Sequence, residues 1–289
     1  MTDAAPAGAR RVVRFSHVST GQFYDAAAVA APEPIGRDWA WGDATGRGVR
    51  VCVVDSGVEA GHPGIGPDVR QFTAAPPAPA APHGAGHRGW TVAEDTAGDV
   101  SGHGTACAGI IRAVAPGCEL TSVRVLDSNL QGNGEALLAA LEWAVRQRFA
   151  LVNVSLSTRR AAFKEHLHDL TDEAWFAGVT LVSAAHNGPV DSYPWRFPSV
   201  ISVGAHAVPD TEHVESNPAP PVDLFALGVD VTVPWRGGSV RRVSGNSFAA
   251  PRITGLCARI LERHPGFRTP QLRHVLTATA GNIRAGSAA

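Results

Sequence analysis

Methionine is nearly missing from this chain: Met1 is the only one among 289 residues. Sulfoxide formation, a common oxidative lesion, is therefore excluded at every other position. Neither sign of charge is in excess, with 25 Lys and Arg against 26 Asp and Glu. That balance draws the chain to neither nucleic acid nor an anionic membrane, and neither is expected as a partner. No apolar run approaches the roughly 18 residues of a membrane span. The opening residues, "MTDAAPAGARRVVRFSHVST", hold no continuous apolar segment after their charges and do not read as a secretory signal. The four cysteines (Cys52, Cys107, Cys118, Cys257) follow no metal-ligand spacing. Three stand in apolar surroundings ("VCVVD", "ACAGII", "GLCARI") and read as buried free thiols of a reduced compartment rather than disulfides.

What is present is enough apolar material, 44%, for a substantial core and one large domain. Residues 1–44 are rich in Ala, Pro and Gly without a period and read as an irregular arm. "GVRVCVVDSGV" is a β-branched run ending in Asp-Ser-Gly, the pattern of a central parallel strand and its turn. "TAAPPAPAAPHGAGHRG" is too dense in Pro, Ala and Gly for a helix and reads as a surface loop. Its two histidines, His83 and His87, lack a third ligand nearby, so no metal is expected. Helical segments follow at "GHGTACAGIIRAV", "GNGEALLAALEWAVRQR", "AAFKEHLHDLTDEAWFAG" (ending at Gly178), "GNSFAAPRITGLCARIL" (running to about Arg263) and "TPQLRHVLTATA". Strand-like segments "ELTSVRVL", "ALVNVSLS", "VTLVSAAHN", "SVISVGAH" and "VDLFALGVDVTV" alternate with them. The alternation implies an α/β fold, a mostly parallel sheet with helices on both faces. Function in such a fold gathers at the carboxyl ends of the strands, which carry Asp55, Ser155, Asn187 and the loop before Ser247.

Three polar residues sit at strand ends or helix starts among small neighbours: Asp55 in "VVDSGV", His103 in "SGHGTACAG" and Ser247 in "SGNSFAAP". Each has a structural reading of its own. A strand-end Asp can be a turn former, a His between glycines a core residue, and a Ser at a helix start an N-cap. Together they are the three groups acyl transfer needs: a hydroxyl nucleophile, an imidazole base and a carboxylate that orients it. The dipole at the start of the serine helix favours negative charge developing on a substrate oxygen.

The segments "VVDSGV", "GHGTACAG", "NVSLS", "AAHN" and "GNSFAAP", in this order, resemble the subtilisin-like serine proteases from about residue 45 to about residue 281. The resemblance implies a three-layer α/β/α fold with a mostly parallel sheet of about seven strands. It implies a catalytic domain over 45–281, with 282–289 as a tail. It assigns Asp55, His103 and Ser247 to the triad, and Asn187 to the oxyanion with the Ser247 N–H as second donor. It further implies that Ser155, Leu156 and Ser157, together with the 128–132 segment (Ser128, Leu130, Gly132), are extended edges. A protein or peptide substrate pairs with them as an added strand. Ala184, Ala185, His186 and Ser192 are then expected to shape the pocket beside the nucleophile, with Ser192 as its floor.

The chain also departs from the family. Asn246 stands where Thr is usual and Phe248 where Met is common. His186, Ser157 and Trp195 replace common glycines, which narrows or reshapes the pocket. Ser192 stands where relatives specific for basic residues place Asp, although Asp191 is adjacent. The calcium loop of secreted relatives is absent after His103, and the arm before Asp55 is too short for a prodomain. No cofactor is expected. The expected protein is thus a cytoplasmic serine endopeptidase that folds unaided and processes a restricted set of substrates. Two alternatives stand beside it: a macrocyclase or transpeptidase using the same triad, and a pseudoprotease whose oxyanion site is spoiled by His186. Whether the arm lies in the cleft, and the oligomeric state, stay open at this level.

Overall fold

The computed structural model describes residues 34–77 and 89–283. The expectations for His83 and His87, and for most of the arm, lie outside the described residues. Among the described residues, eleven strands form two sheets. They are β1 (Arg50–Asp55), β2 (Val69–Ala75), β3 (Thr91–Glu94), β4 (Glu119–Arg124), β5 (Leu151–Val154), β6 (Thr180–Ala184), β7 (Ile201–His206), β8 (Val214–Ser216), β9 (Leu224–Leu227), β10 (Val231–Trp235) and β11 (Ser239–Val243). The helices are α1 (Arg37–Ala40), α2 (His103–Val114), α3 (Gly134–Arg146), α4 (Lys164–Ala177), α5 (Asn246–Arg263) and α6 (Thr269–Ala278).

The main sheet has nine strands in the order β3-β2-β4-β1-β5-β6-β7-β9-β8. The run from β2 to β9 is parallel throughout. Antiparallel β3 and β8 close its two edges. The expectation of about seven strands is corrected to nine, the parallel part alone accounting for seven. Edge strand β3 and its neighbour β2 escape sequence reading because they are partly exposed and show no apolar alternation. Part of the segment read as loop, Thr73 to Ala75, belongs to β2.

Strand β1 is the topological switch, with β4 on one side and β5 on the other. Its side chains alternate between the sheet faces. Val51 and Val53 pack in the core under α2, α5 and α6, whereas Cys52 and Val54 pack under α3 and α4. Asp55 continues the first series and so points toward α2. The same period places Leu151 on the α5 side and Val152 and Val154 on the other, which aims Asn153 and Ser155 at α5. Both cores are built from fully buried aliphatic side chains, each contributing about 1.5–3 kcal/mol relative to exposure.

The arm boundary also changes. Trp41 is 1% exposed in the main core, and its indole N–H donates to Glu212 at 3.1 Å. Nearby, the Glu262 carboxylate accepts the N–H groups of Thr45, Gly46 and Arg47 at 2.6, 2.7 and 3.0 Å. Residues 34–44 are thus part of the folded body, because a buried Trp outweighs the Ala/Pro/Gly composition around it. All four cysteines are buried and free, including the three read so from their apolar surroundings. Among the described residues no helix is long and apolar enough to cross a membrane.

Candidate active site

The Asp55 carboxylate, fully buried at the end of β1, accepts the Ser56 N–H at 2.7 Å. It also meets His103 Nδ1 at 2.8 and 3.0 Å through its two oxygens. That pairing makes Nδ1 the protonated nitrogen of the neutral ring and leaves Nε2 as an acceptor directed at the cleft. Burial pulls the His103 pKa down, but the Asp55 charge outweighs it and holds the imidazole well above its ordinary range. Cys107 Sγ lies 3.9 Å from His103 Nδ1. Its thiol is pushed up by burial, and its contact with the ring adds to the upward pull of Asp55 on His103. The ligand atoms of Asp55, His103 and Cys107 lie within 4.8 Å of one another.

His103 is placed by a turn that only small residues allow. Gly102 has φ +109, and a Cβ there would stand 2.3 Å from the Trp235 indole nitrogen. A Cβ on Gly104 would stand 2.0 Å from the Gly57 carbonyl oxygen. The first turn of α2 is capped by Asp99. One of its oxygens accepts from Ser56 Oγ, Ser101 N and Gly102 N at 2.8–2.9 Å. The other accepts from Thr105 N at 2.8 Å and Thr105 Oγ1 at 2.5 Å. Sequence reading passed over Asp99 because it stands four positions before the helix, while the N-cap position itself is Gly102 and has no side chain to do this.

Ser247 occupies the first turn of α5, and a proline explains how it is held. Pro251, four residues on, has no N–H, so the Ser247 carbonyl is left without its helical donor. Ser155 Oγ donates to it instead at 2.9 Å, and the Cys107 thiol at 3.5 Å. Asn153 continues the chain, its Nδ2 donating to Ser155 Oγ at 3.0 Å while its Oδ1 accepts from Thr254 Oγ1 at 2.9 Å. The ends of β5, α2 and α5 are thereby tied at the serine. Ser247 Oγ has no hydrogen bond to the described residues, and its N–H lies in the turn that lacks intrahelical acceptors.

Asn246 fixes Asn187. Its N–H donates to Asn187 Oδ1 at 3.0 Å, which leaves Asn187 Nδ2 free to face the cleft. Its side chain donates to the carbonyls of Ala185 and His186 at 3.1 and 3.3 Å and accepts the Ala205 N–H at 2.9 Å. Ser247 Oγ and Asn187 Nδ2 lie 3.4 and 3.6 Å from the place a Cβ on Gly245 would take. Any side chain there would fill the space between hydroxyl and amide.

A cleft of about 280 Å³ joins His103, Ser247 and Asn187 with Leu130, Ser155, Leu156, Ser157, Ala184, Ala185 and His186. Leu126 lines it too and was not singled out from the sequence. Two expectations are corrected. Residues 128–130 form a turn rather than an extended edge, because the Asp127 carboxylate accepts the N–H groups of Asn129 and Gln131, both at 2.8 Å. Ser128 therefore stays outside the cleft, and Gly132 lines the adjoining cavity. Ser192 is no open floor: it is fully buried, its hydroxyl accepting from Ser157 Oγ at 3.0 Å and Trp195 Nε1 at 2.8 Å. His186 turns inward on its own loop, Nδ1 accepting the Gly188 N–H at 2.9 Å, and leaves Asn187 Nδ2 uncovered.

Against known proteins, a family model described as the subtilase family, Peptidase_S8, matches residues 46–288. Subtilisin from Bacillus pumilus is 31% identical over 253 residues, covering 82% of this chain and 85% of that protein. Subtilisin E from Bacillus subtilis (strain 168) is also 31% identical over 253 residues, and there the match spans only 61% of the relative's length. Among solved structures, a cold adapted subtilisin-like serine proteinase is similar with a TM-score of 0.66 and 26% identity. It covers 84% of this chain and 88% of its own.

Proposed function

Because this chain belongs to the subtilase family, we propose that it is a serine endopeptidase working through an acyl-enzyme. The observation that carries the reading is the buried Asp55–His103 pair, whose free imidazole edge shares one cleft with Ser247 and Asn187. In this reading Ser247 Oγ attacks the peptide carbonyl and gives its proton to His103 Nε2. Asp55 holds the ring and stabilises the imidazolium that forms. The tetrahedral oxyanion accepts from Asn187 Nδ2 and the Ser247 N–H, aided by the α5 dipole. His103 then protonates the departing amine, and water repeats the sequence to release the acid. The absent Ser247–His103 hydrogen bond is compatible with this, since such contacts tighten when substrate binds.

The substrate would be a protein or peptide chain laid along residues 155–157 as an added strand. A cleft of this size with a filled floor supports a restricted set of substrates over general digestion. Four unpaired, buried thiols support a cytoplasmic setting. Peptide digestion in H₂¹⁸O followed by mass spectrometry tests the chemistry. Hydrolysis places one heavy oxygen on the new C-terminus, whereas cyclisation or transfer to an amine leaves the product without added water. Absence of any cleavage by folded protein across a proteome-derived peptide library would refute the endopeptidase reading.

A further inference from the structure

We propose that Trp195 closes the acyl-side pocket from beneath, so that the enzyme cleaves after residues with side chains no larger than that of alanine or serine. The proposal rests on Ser247 being the nucleophile. His103 must deliver a proton to the departing amine, so the leaving chain lies on the His103 side of Ser247. The residue that supplies the acyl carbon then projects to the other side, between the segments that carry Ser157 and Ala185. Those two are wall residues of the cleft.

What lies under that gap is solid. Ser192 is 0% exposed and Trp195 is 7% exposed. The indole N–H donates to Ser192 Oγ at 2.8 Å, and Ser157 Oγ donates to the same oxygen at 3.0 Å. The Ser157 wall is also stitched to the segment carrying Ser192 and Trp195 just beyond this point. Thr158 and Tyr193 form an antiparallel bridge with reciprocal N–H to carbonyl bonds of 2.9 and 3.0 Å. Ser192 and Trp195 cannot move away from the Ser157 wall without breaking that bridge.

A branched, aromatic or long basic side chain entering here must displace the buried indole and break its hydrogen bond to Ser192. Each buried donor left unpaired costs roughly a factor of ten in affinity. A hydrogen, methyl or hydroxymethyl group meets no such obstacle. The pocket thus selects by exclusion, and Ser192 takes no part as a charge-reading floor. The substrate class is a chain presenting Gly, Ala or Ser immediately before the scissile bond.

The test uses two tripeptide boronic acids that differ only in the boron-bearing residue, the alanine and phenylalanine analogues. Each competes with fluorophosphonate labelling of Ser247, a readout that needs no knowledge of the natural cleavage sequence. In the wild-type protein the alanine analogue is expected to protect Ser247 at a concentration at least a hundredfold lower than the phenylalanine analogue. In Trp195→Gly the ratio is expected to fall below tenfold, through tighter binding of the phenylalanine analogue. Equal or better protection by the phenylalanine analogue in the wild type overturns the proposal whether or not the variant folds. Folded wild type that resists the fluorophosphonate itself overturns the nucleophile assignment, and the pocket proposal with it.

Discussion

Asn246 offers the sharpest perturbation of the proposed oxyanion site, since its side chain bonds the loop that carries Asn187 and, among the described residues, makes no hydrogen bond to Ser247. Its amide makes three hydrogen bonds, to Ala185, His186 and Ala205. At about 0.5–1.5 kcal/mol each, and toward the low end for a half-buried residue, Asn246→Ala should cost about 2 kcal/mol of stability. The backbone bond from residue 246 to Asn187 survives, but the loop that carries Asn187 loses its tether. In a related subtilisin, removing the asparagine donor outright costs roughly 10²–10³ in kcat, which sets the ceiling here. A loosened donor should cost about tenfold in kcat with little change in KM. Asn246→Asp is nearly the same shape and keeps the acceptor for Ala205, yet it sets a carboxylate against two carbonyl oxygens. It should be worse than Ala, and increasingly so as pH rises through the carboxyl pKa. Steady-state kinetics beside urea denaturation separates the effects. Asn246→Ala with full kcat and lowered stability would refute the positioning argument and leave Asn246 as a structural brace.

Other expectations follow from the same geometry. His103 is held above its ordinary range, so activity should rise with pH along a limb lying above about 6.5, where the base becomes free. The raised pKa contributes stability that is full below about 6.5 and lost as pH rises through the folded value. Asp55→Asn removes the charge and leaves burial, so the limb should move below about 6.5 and kcat should drop by about 10⁴; a limb that stays in place would contradict the assignment of Asp55. Brief peroxide should leave activity intact. Phe248 lies tilted beside His103, ring centroids 5.3 Å apart, where an oxidisable thioether is common, and burial raises all four thiols, Cys118 to about 11. Rapid inactivation would show that another oxidisable group governs the site. Gly104→Ala forces a Cβ to 2.0 Å from the Gly57 carbonyl and should lower both melting temperature and kcat, whereas a neutral result would mean that the turn yields freely.

The central layers were legible because their signals are long and periodic. The start of α5 and its end at Arg263 agree with the reading, since the apolar spacing runs unbroken from Phe248 to Leu261. Asp55 was found because it ends a buried β-branched run, and Asn187 because its short motif follows another. Elements without such a period stayed hidden. Edge strands β3 and β8 are short, β2 is partly solvated along its length, and Trp41 lies in a stretch whose composition suggests no structure. The supporting bonds were hidden for a different reason. Asp99 at the α2 cap, the Asn153–Ser155 relay and the Trp195–Ser192 contact all depend on which face a residue takes once distant segments meet. Sequence marked Asn246 as unusual, but its grip on Asn187 appears only when β6, β7 and α5 are side by side.

The measurement that bears most directly on the nucleophile is intact-mass analysis after fluorophosphonate treatment of wild type and Ser247→Ala. The expected result is one adduct per wild-type chain, mapped by peptide sequencing to Ser247, slowed strongly by Asp55→Asn and absent in Ser247→Ala. Equal labelling of both proteins, or no labelling of well-folded wild type, would contradict the assignment of Ser247 as an activated nucleophile.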